Sequence, residues 1–536
     1  MLKKISHTAG VEDTEEILFN TPFGYMFSEL ANSDDCKLPV GFPTIRALQQ
    51  LGVAMADPGK PDDPQAEQFD STIPAVFTYL GQFIDHDITA RTDRDEGLNT
   101  IADKDGKAHQ FTPLAPADVI HTLKNGRRPQ YDLDSVYGDG PNMLGHGVPG
   151  ADTSAGCLYN DDYTMKIQRN GNVDLPREGR KALIADGRND ENVMVSQLHA
   201  SFLVFHNYVV DHLGGSLSDQ VRYITARRLV RWAYQYVVIN DFLKQVCDKH
   251  VVADVLENGP RFFGPRVSGG PLAMPLEFSV AGFRFGHSLI RPFYRLNEMS
   301  QAVEINQLID VSQEERRIGK DLLVRGPRNQ FQLKPEFAID WQNFAQFEHN
   351  TPQKARRIDP RLAMGLLNLP VKNVMPSAVL SHLAQRNLLR GYLLSIPTGQ
   401  AVAAAMGVVP LTWRELTDGE SDDVHEAFAV GGFGQRTPLW YYILKEASVQ
   451  KEGRSLGVVG SRIVAETLIG LAKEDPISYL NNVHSSAVSK DYHGNPNGIE
   501  IGNNVTIETI ADILRIATSR VENGYAAITV TANASA

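Results

Sequence analysis

The sequence predicts a mainly α-helical fold, one large domain with long loops and little β-structure. Three observations carry that prediction. Residues 193–213 and 217–256 are long stretches with apolar side chains at helical spacing. Segments 436–447 and 460–471 read as further helices with one apolar face. The 44 glycines and 29 prolines supply many breaks between such helices. At 536 residues, with 42% hydrophobic and 22% charged side chains, the chain is long enough for one large helical domain or two to three ordinary ones.

Bulk properties remove some functions. A net charge of -12 argues against binding nucleic acid or an anionic membrane, because either wants a basic face. Cys36, Cys157 and Cys247 form no disulfide framework and have no metal-ligand spacing. The start, Met1-Leu-Lys-Lys-Ile-Ser-His, has two lysines but no apolar run after them, and no uninterrupted apolar run reaches the length of a membrane span. The expectation is a cytoplasmic protein, or one exported without a cleaved N-terminal signal.

Taken in order, residues 1–70 read as an irregular arm with breakers at Gly41-Phe-Pro, Asp57-Pro-Gly and Pro61-Asp-Asp-Pro, and one helical piece near 44–51. A helix follows at about 73–89. Gln82 and His86 stand one turn apart on one face of it, with Asp85 and Asp87 beside the histidine. An unpaired carboxylate or imidazole is costly to bury, so a charged or metallic group is expected nearby.

From Arg91 the pattern is loop, closing in Arg127-Arg-Pro-Gln-Tyr-Asp-Leu-Asp-Ser-Val-Tyr-Gly. Asp132 and Asp134 flank Leu133, an alternation of oxygens that suits a hard divalent cation or, equally, a solvated acidic loop. Residues 139–182 are glycine-rich and polar. The helix at 193–213 carries Leu198, Phe202, Phe205 and Val209 as its apolar stripe, with Asp190 or Glu191 near its start and Arg188 just before it. His199, His206 and His212 on this helix read as structural or solvated. The stretch 217–256, with Val221, Ile224, Leu229, Trp232, Tyr236, Val237, Phe242 and Leu243, reads as scaffold.

His287 lies in an apolar helical pattern. By itself such a histidine is more often a core residue than a ligand, although Gly286 before it would let a large flat group approach. Residues 351–370 read as a linker with a short helix. After Asp491 the chain turns Gly/Asn-rich, with a helix near 506–517 and a short strand at 528–531.

Five of these segments, in this order over roughly residues 70–475, resemble the animal-type haem peroxidases, the superfamily that also holds the cyclooxygenases and fatty-acid dioxygenases. The chain looks most like its bacterial members. The segments are Gln82-Phe-Ile-Asp-His-Asp87, the loop ending Val136-Tyr-Gly138, Arg188-Asn-Asp-Glu191, Phe283-Arg-Phe-Gly-His287 and Leu383-Ala-Gln-Arg-Asn387. The resemblance implies a haem peroxidase domain over 71–480, with an arm before it and a C-terminal extension over 481–536 packed on the body.

It also implies roles. His86 would stand over the open face of the haem with Gln82 beside it, and Arg188 would be the catalytic arginine. Asp85 and Glu191 would esterify the haem, so the cofactor is haem b or an ester-linked derivative of it. His287 would be the axial iron ligand, Asn387 would accept its second N–H, and Arg284 would pair with a propionate. Calcium would take Asp87, Asp132, Asp134 and backbone oxygens of Arg128 and Gln130.

There are departures from the family pattern. Arg128 and Asp134 stand where animal members often have threonine and serine. Asn192 stands where myeloperoxidase has a methionine joined to a haem vinyl group, which limits the haem to two esters. Arg284 stands where the dioxygenases carry a radical-forming tyrosine, which argues against fatty-acid oxygenation by that route.

The expected activity is reduction of hydrogen peroxide with oxidation of a small donor, a phenol, halide or thiocyanate, as in a response to oxidative stress. The rivals are a lipid dioxygenase of the same superfamily and a haem-binding protein without turnover.

Overall fold

The computed structural model describes residues 21–57, 66–90, 112–141, 158–169, 173–264, 271–309, 322–325, 331–369 and 378–522. Cys157, the breaker at 61–64 and the expected strand at 528–531 lie outside them. Helices dominate. The longer ones are α1 (Phe42–Ala54), α2 (Val76–Ile88), α3 (Val193–His212), α4 (Asp219–Val237), α5 (Lys249–Asn258), α6 (Leu383–Leu393), α7 (Asp422–Gly431), α8 (Leu439–Lys451), α9 (Val458–Glu474) and α10 (Ile510–Glu522). Among the described residues, β-structure is limited to two- and three-stranded pieces that close on nothing.

The centre of the fold is α3. Every residue from Val193 to Val210 is buried, so the helix is covered on all sides by α2, α4 and α10 among others. The stripe Leu198, Phe202, Phe205 and Val209 is therefore part of a fully embedded rod, and each of these side chains contributes about 1.5–3 kcal/mol by burial. The same helix has the length and apolarity of a membrane span, yet its 18-residue apolar window lies wholly inside the protein. Its start is fixed by Asn192, whose Oδ1 accepts the Val195 N–H at 2.9 Å.

The stretch after it divides into four pieces. α4 passes through a π turn, Val238–Phe242, into Leu243–Val246, and α5 begins afresh with Asp248 accepting the His250 and Val251 N–H groups. Trp232, Tyr236 and Phe242 face inward, whereas Val221 and Ile224 point outward.

Three contacts position the elements that carry the candidate site. α1 is longer than the piece expected at 44–51 and buries Ile45, Leu48 and Leu51 against α6 and α7. At Gly52 a Cβ would lie 2.7 Å from Gln385 Cγ, so the close approach of α1 to α6 requires glycine there. The strand Thr21–Gly24 pairs antiparallel with Lys124–Asn125 and parallel with Met274–Pro275. That places the buried Glu277 carboxylate under the Met26 and Phe27 N–H groups, at 2.8 and 3.0 Å, and pins the start of the His287 segment.

The His287 segment is itself not a regular α-helix. It is a π turn, Phe278–Gly282, followed by a 3-10 turn, Phe283–His287. Two local contacts account for the irregular winding. Arg284 Nε takes the Ser279 carbonyl at 3.0 Å, and Gly282 is pressed against Ile463 of α9, where an added Cβ would sit 2.6 Å from Ile463 Cγ2.

Candidate functional site

The segments singled out in the sequence converge. α2 packs directly on the turn carrying His287 and on the 3-10 turn Gly187–Asp190 that leads into α3. On α2, Gln82 and His86 share a face as the spacing requires. Gln82 Oε1 accepts from Asn192 Nδ2 at 2.9 Å, which ties this face to the cap of α3. His86 is buried, and its Nδ1 lies 2.8 Å from Asn189 Oδ1. Asp85, half-buried, accepts from Thr89 Oγ1 at 2.7 Å, and Glu191 is half-buried at the end of the 3-10 turn.

Arg188 is held from several sides. Its Nη2 donates to the His86 carbonyl at 2.8 Å, its Nη1 to the Thr89 carbonyl at 2.9 Å, and its Nε and Nη2 to Asp186. Asp186 is completely buried and also pairs with Arg127. Burial alone would push its carboxyl up, but Arg127 and Arg188 together hold it well below the usual carboxylate range. Two residues after Arg188, Asp190 takes both Nη groups of the buried Arg177, at 2.7 and 2.8 Å. The turn Gly187–Asp190 is thus clamped at both ends.

On the other side, His287 Nδ1 lies 2.9 Å from Asn387 Nδ2 on α6, and Asn387 Oδ1 accepts from Arg284 Nη1 at 3.0 Å. The guanidinium can only donate, so it takes the oxygen end of the amide and leaves Nδ2, a donor, facing His287 Nδ1, which reverses the expectation that Asn387 accepts the imidazole N–H. Arg284 is thereby turned towards Asn387. Trp440 of α8 stands edge-on to the imidazole, with centroids 6.4 Å apart, and donates to the Arg284 carbonyl at 3.1 Å. A Cβ built on Gly286 or on Gly391, one turn after Asn387, meets nothing within 4 Å, so both glycines border open space.

The acidic residues form a third constellation. Asp87, Asp132 and Asp134 are all buried, and each places a carboxylate oxygen within 4.8 Å of the others. Leu133 between the last two adopts φ 53° and ψ 35°, a left-handed kink that brings both flanking carboxylates towards Asp87. Asp87 accepts long hydrogen bonds from Leu133 N and Ser135 Oγ, each at 3.4 Å, while Asp134 Oδ2 is buried without a hydrogen-bond partner. Burial, then Asp134 and Asp132, raise the Asp87 carboxyl well above the usual range. Burial raises Asp134 to about 7 against the pull of Arg127. Arg128 approaches Asp132 at 3.7 Å, and its own carbonyl accepts the Gln130 N–H at 2.8 Å.

Solved structures share this whole arrangement of elements. Peroxidase A from Dictyostelium discoideum superposes with a TM-score of 0.60 at 15% identity, over 97% of this chain and 98% of that one. A fatty acid alpha-dioxygenase of Arabidopsis thaliana gives 0.56 at 15% identity, over 94% of this chain and 78% of that one. One from Oryza sativa, solved with palmitic acid, gives 0.58 at 17% identity, over 90% of this chain and 80% of that one.

At 15–17% identity these likenesses show that the chain shares the fold of these enzymes. Sequence similarity covers only part of its length. The family described as Animal haem peroxidase matches residues 149–338, which include Arg188, Glu191, Arg284 and His287 but neither His86 nor Asn387. A Peroxidase-like protein of Margaritifera margaritifera is 26% identical over 265 residues, 42% of this chain and 32% of that protein. The match therefore spans about a third of that curated relative.

Four residues of this cluster escape the sequence reading: Arg127, Asp186, Asn189 and His199. Asp186 leaves a signal, since an aspartate before Gly-Arg caps a turn, and its side chain does accept the Arg188 N–H at 3.0 Å. Nothing in local spacing links Asn189 to His86 or His199 to either. Asn189 Nδ2 lies 2.9 Å from His199 Nδ1, and burial lowers the His199 imidazole to about 4, which keeps it neutral.

Proposed function

We propose that the protein is a haem peroxidase, similar to the animal-type enzymes of bacteria, that reduces hydrogen peroxide while oxidising small donors such as phenols, halides or thiocyanate. The observation that carries this reading is the pairing of two histidines on directly packed elements, each with its Nδ1 against an asparagine amide, His86 with Asn189 and His287 with Asn387. Open space beside Gly286 fits a large flat group approaching His287.

In this reading His287 would hold a haem iron. Asn387 orients its ring, with Arg284 behind the amide, and Asp85 and Glu191 are the candidate ester partners. When bound, haem supplies the redox chemistry on which peroxide is split.

The chain's own residues handle the protons. His86 Nε2 takes the proton from the near oxygen of peroxide and returns it to the far one, which suits an imidazole near neutral pH. Arg188, beside the His86 carbonyl, places a positive charge near the bond that breaks. Gln82 orders water or an anion next to His86. The three buried carboxylates, with an orphaned Asp134 oxygen, fit a calcium ion completed by backbone oxygens of Arg128 and Gln130.

The test is an absorption spectrum of haem-loaded protein before and after peroxide, for the wild type and for His86→Gln. The expected outcome is a haem band in both, with the peroxide-induced change slowed by orders of magnitude in the variant. Full-speed reaction in the variant, or no haem uptake by folded protein, would overturn the reading.

The fold shared with the fatty acid alpha-dioxygenases favours a second reading, oxygenation of a lipid. The apolar pocket beside Asn387, lined by Leu38, Val280, Leu388, Ile396 and Leu439, holds only about 10 Å³, room for about one water and no acyl chain. Against this reading also stands Arg284 at the position where the dioxygenases carry tyrosine. Oxygen uptake with palmitic acid separates the two readings.

A further inference from the structure

The side chain of Asn189 is fully buried and lies between two imidazoles. Its Oδ1 is 2.8 Å from His86 Nδ1, and its Nδ2 is 2.9 Å from His199 Nδ1. An amide oxygen only accepts and an amide NH2 only donates. In this orientation His86 must carry its proton on Nδ1, and His199 must present a bare Nδ1. The turn that bears Asn189 has little freedom, because Asn189 N donates to the Asp186 carbonyl at 3.0 Å and Asp190 is bound to Arg177 through both oxygens. His199 is equally fixed, sitting in the middle of the buried α3 with its ring perpendicular to Phe83 at 6.2 Å.

We propose that Asn189, anchored by His199, is a positioning residue that sets the tautomer and ring orientation of His86, so that Nε2 presents a lone pair to the substrate. This rests on the reading of His86 as the proton acceptor from peroxide. A neutral imidazole in water favours the opposite tautomer, with the proton on Nε2 and no base at that atom. The amide reverses that preference without adding charge. When Nε2 takes a proton, the Nδ1–H bond to Asn189 becomes charge-assisted and stronger, which stabilises the imidazolium that the transfer creates. A carboxylate there would hold the same tautomer while adding a charge and making the ring more basic.

The test starts with haem-free protein, selectively labelled with 15N-histidine, and long-range 1H–15N NMR at one neutral pH. The His86 signals are identified by their loss in His86→Gln. Wild type is expected to show His86 with the proton on Nδ1. Asn189→Asp should keep that form, because a carboxylate oxygen also accepts, whereas Asn189→Leu should release His86 to the Nε2–H form. In haem-loaded protein, the rate constant for reaction with peroxide should fall roughly 10- to 100-fold in Asn189→Leu and less in Asn189→Asp.

A wild-type His86 found as the Nε2–H tautomer overturns the proposal even if neither Asn189 variant folds. So does an Asn189→Leu protein whose His86 stays in the Nδ1–H form. If His86→Gln itself reacts with peroxide at full speed, the peroxidase reading fails, and the NMR result still decides the role of Asn189.

Discussion

Arg188 caps the helix that carries His86: its Nη2 donates to the His86 carbonyl at 2.8 Å while its Nη1 holds the Thr89 carbonyl at 2.9 Å. These carbonyls lie at the C-terminal end of α2, where peptide oxygens lack helical partners and a cation is favoured. Arg188→Lys should therefore damage both fold and reaction. A single ammonium cannot span two carbonyls and Asp186. We expect a loss of about 3 kcal/mol in guanidinium unfolding and a slower reaction with peroxide. Unchanged stability would show that the clamp is dispensable.

Asp186 is the shared counter-ion of Arg127 and Arg188 and has no exposure to solvent. Asp186→Asn leaves two buried guanidiniums facing an amide. Breaking a buried pair from one side costs about 3–5 kcal/mol, so the variant should unfold at markedly lower denaturant. A midpoint within error of wild type would contradict this.

The carboxylate cluster should respond to calcium and protons in opposition. Folding without a cation raises Asp87 and Asp134, the latter to about 7, above their unfolded values. The cation-free fold therefore binds more protons than the unfolded chain and loses stability as pH rises towards 7. Calcium needs the deprotonated oxygens, so its stabilising effect should be larger at pH 8 than at pH 6. Melting curves with calcium and with chelator check this. Asp134→Asn should abolish the response, and a calcium effect that is equal at both pH values would count against the site.

A pH effect of opposite sign comes from His206, whose Nδ1 lies 3.0 Å from the buried Tyr137 hydroxyl. Burial, then Arg227, depress this imidazole to about 3. It stays neutral in the fold while the unfolded chain protonates near 6.5. Its contribution is complete above pH 6.5 and is lost as pH falls towards 3, at about 1.4 kcal/mol per pH unit. His206→Phe should flatten the wild-type dependence between pH 6 and 4 by roughly that slope. Parallel curves for the two proteins would refute the assignment.

Gly286 offers a test of the space beside His287. A side chain there meets nothing within 4 Å in the fold as it stands. Gly286→Leu should leave the haem-free stability within about 1 kcal/mol and should block haem uptake. A variant that takes up haem normally would mean that the open space lies elsewhere.

Much of the site was legible because its parts are short and local. Gln82 and His86 fall one turn apart on α2, as the helical period suggested, and Asp132 and Asp134 alternate about Leu133, whose left-handed kink only the structure shows. α3 is buried on nearly every face and not only along its apolar stripe, with Ser196, Gln197, His199, Ser201, His206 and Asn207 also covered, and that coverage comes from the helices packed around it. His287 lies in π and 3-10 turns because Arg284 and Ile463 act on the backbone, and neither contact has a sequence period.

By itself, the sequence determined where helices form, which residues gather into each motif, and the order of those motifs, because periodicity and capping act within a few residues. Only the tertiary structure decided the partner of each polar side chain. His86 finds Asn189 across 103 positions, and Asn387 meets both Arg284 and His287 from about as far. Such pairs are selected by how embedded helices pack and by the cost of burying an unpaired polar atom, and neither quantity can be read from local order.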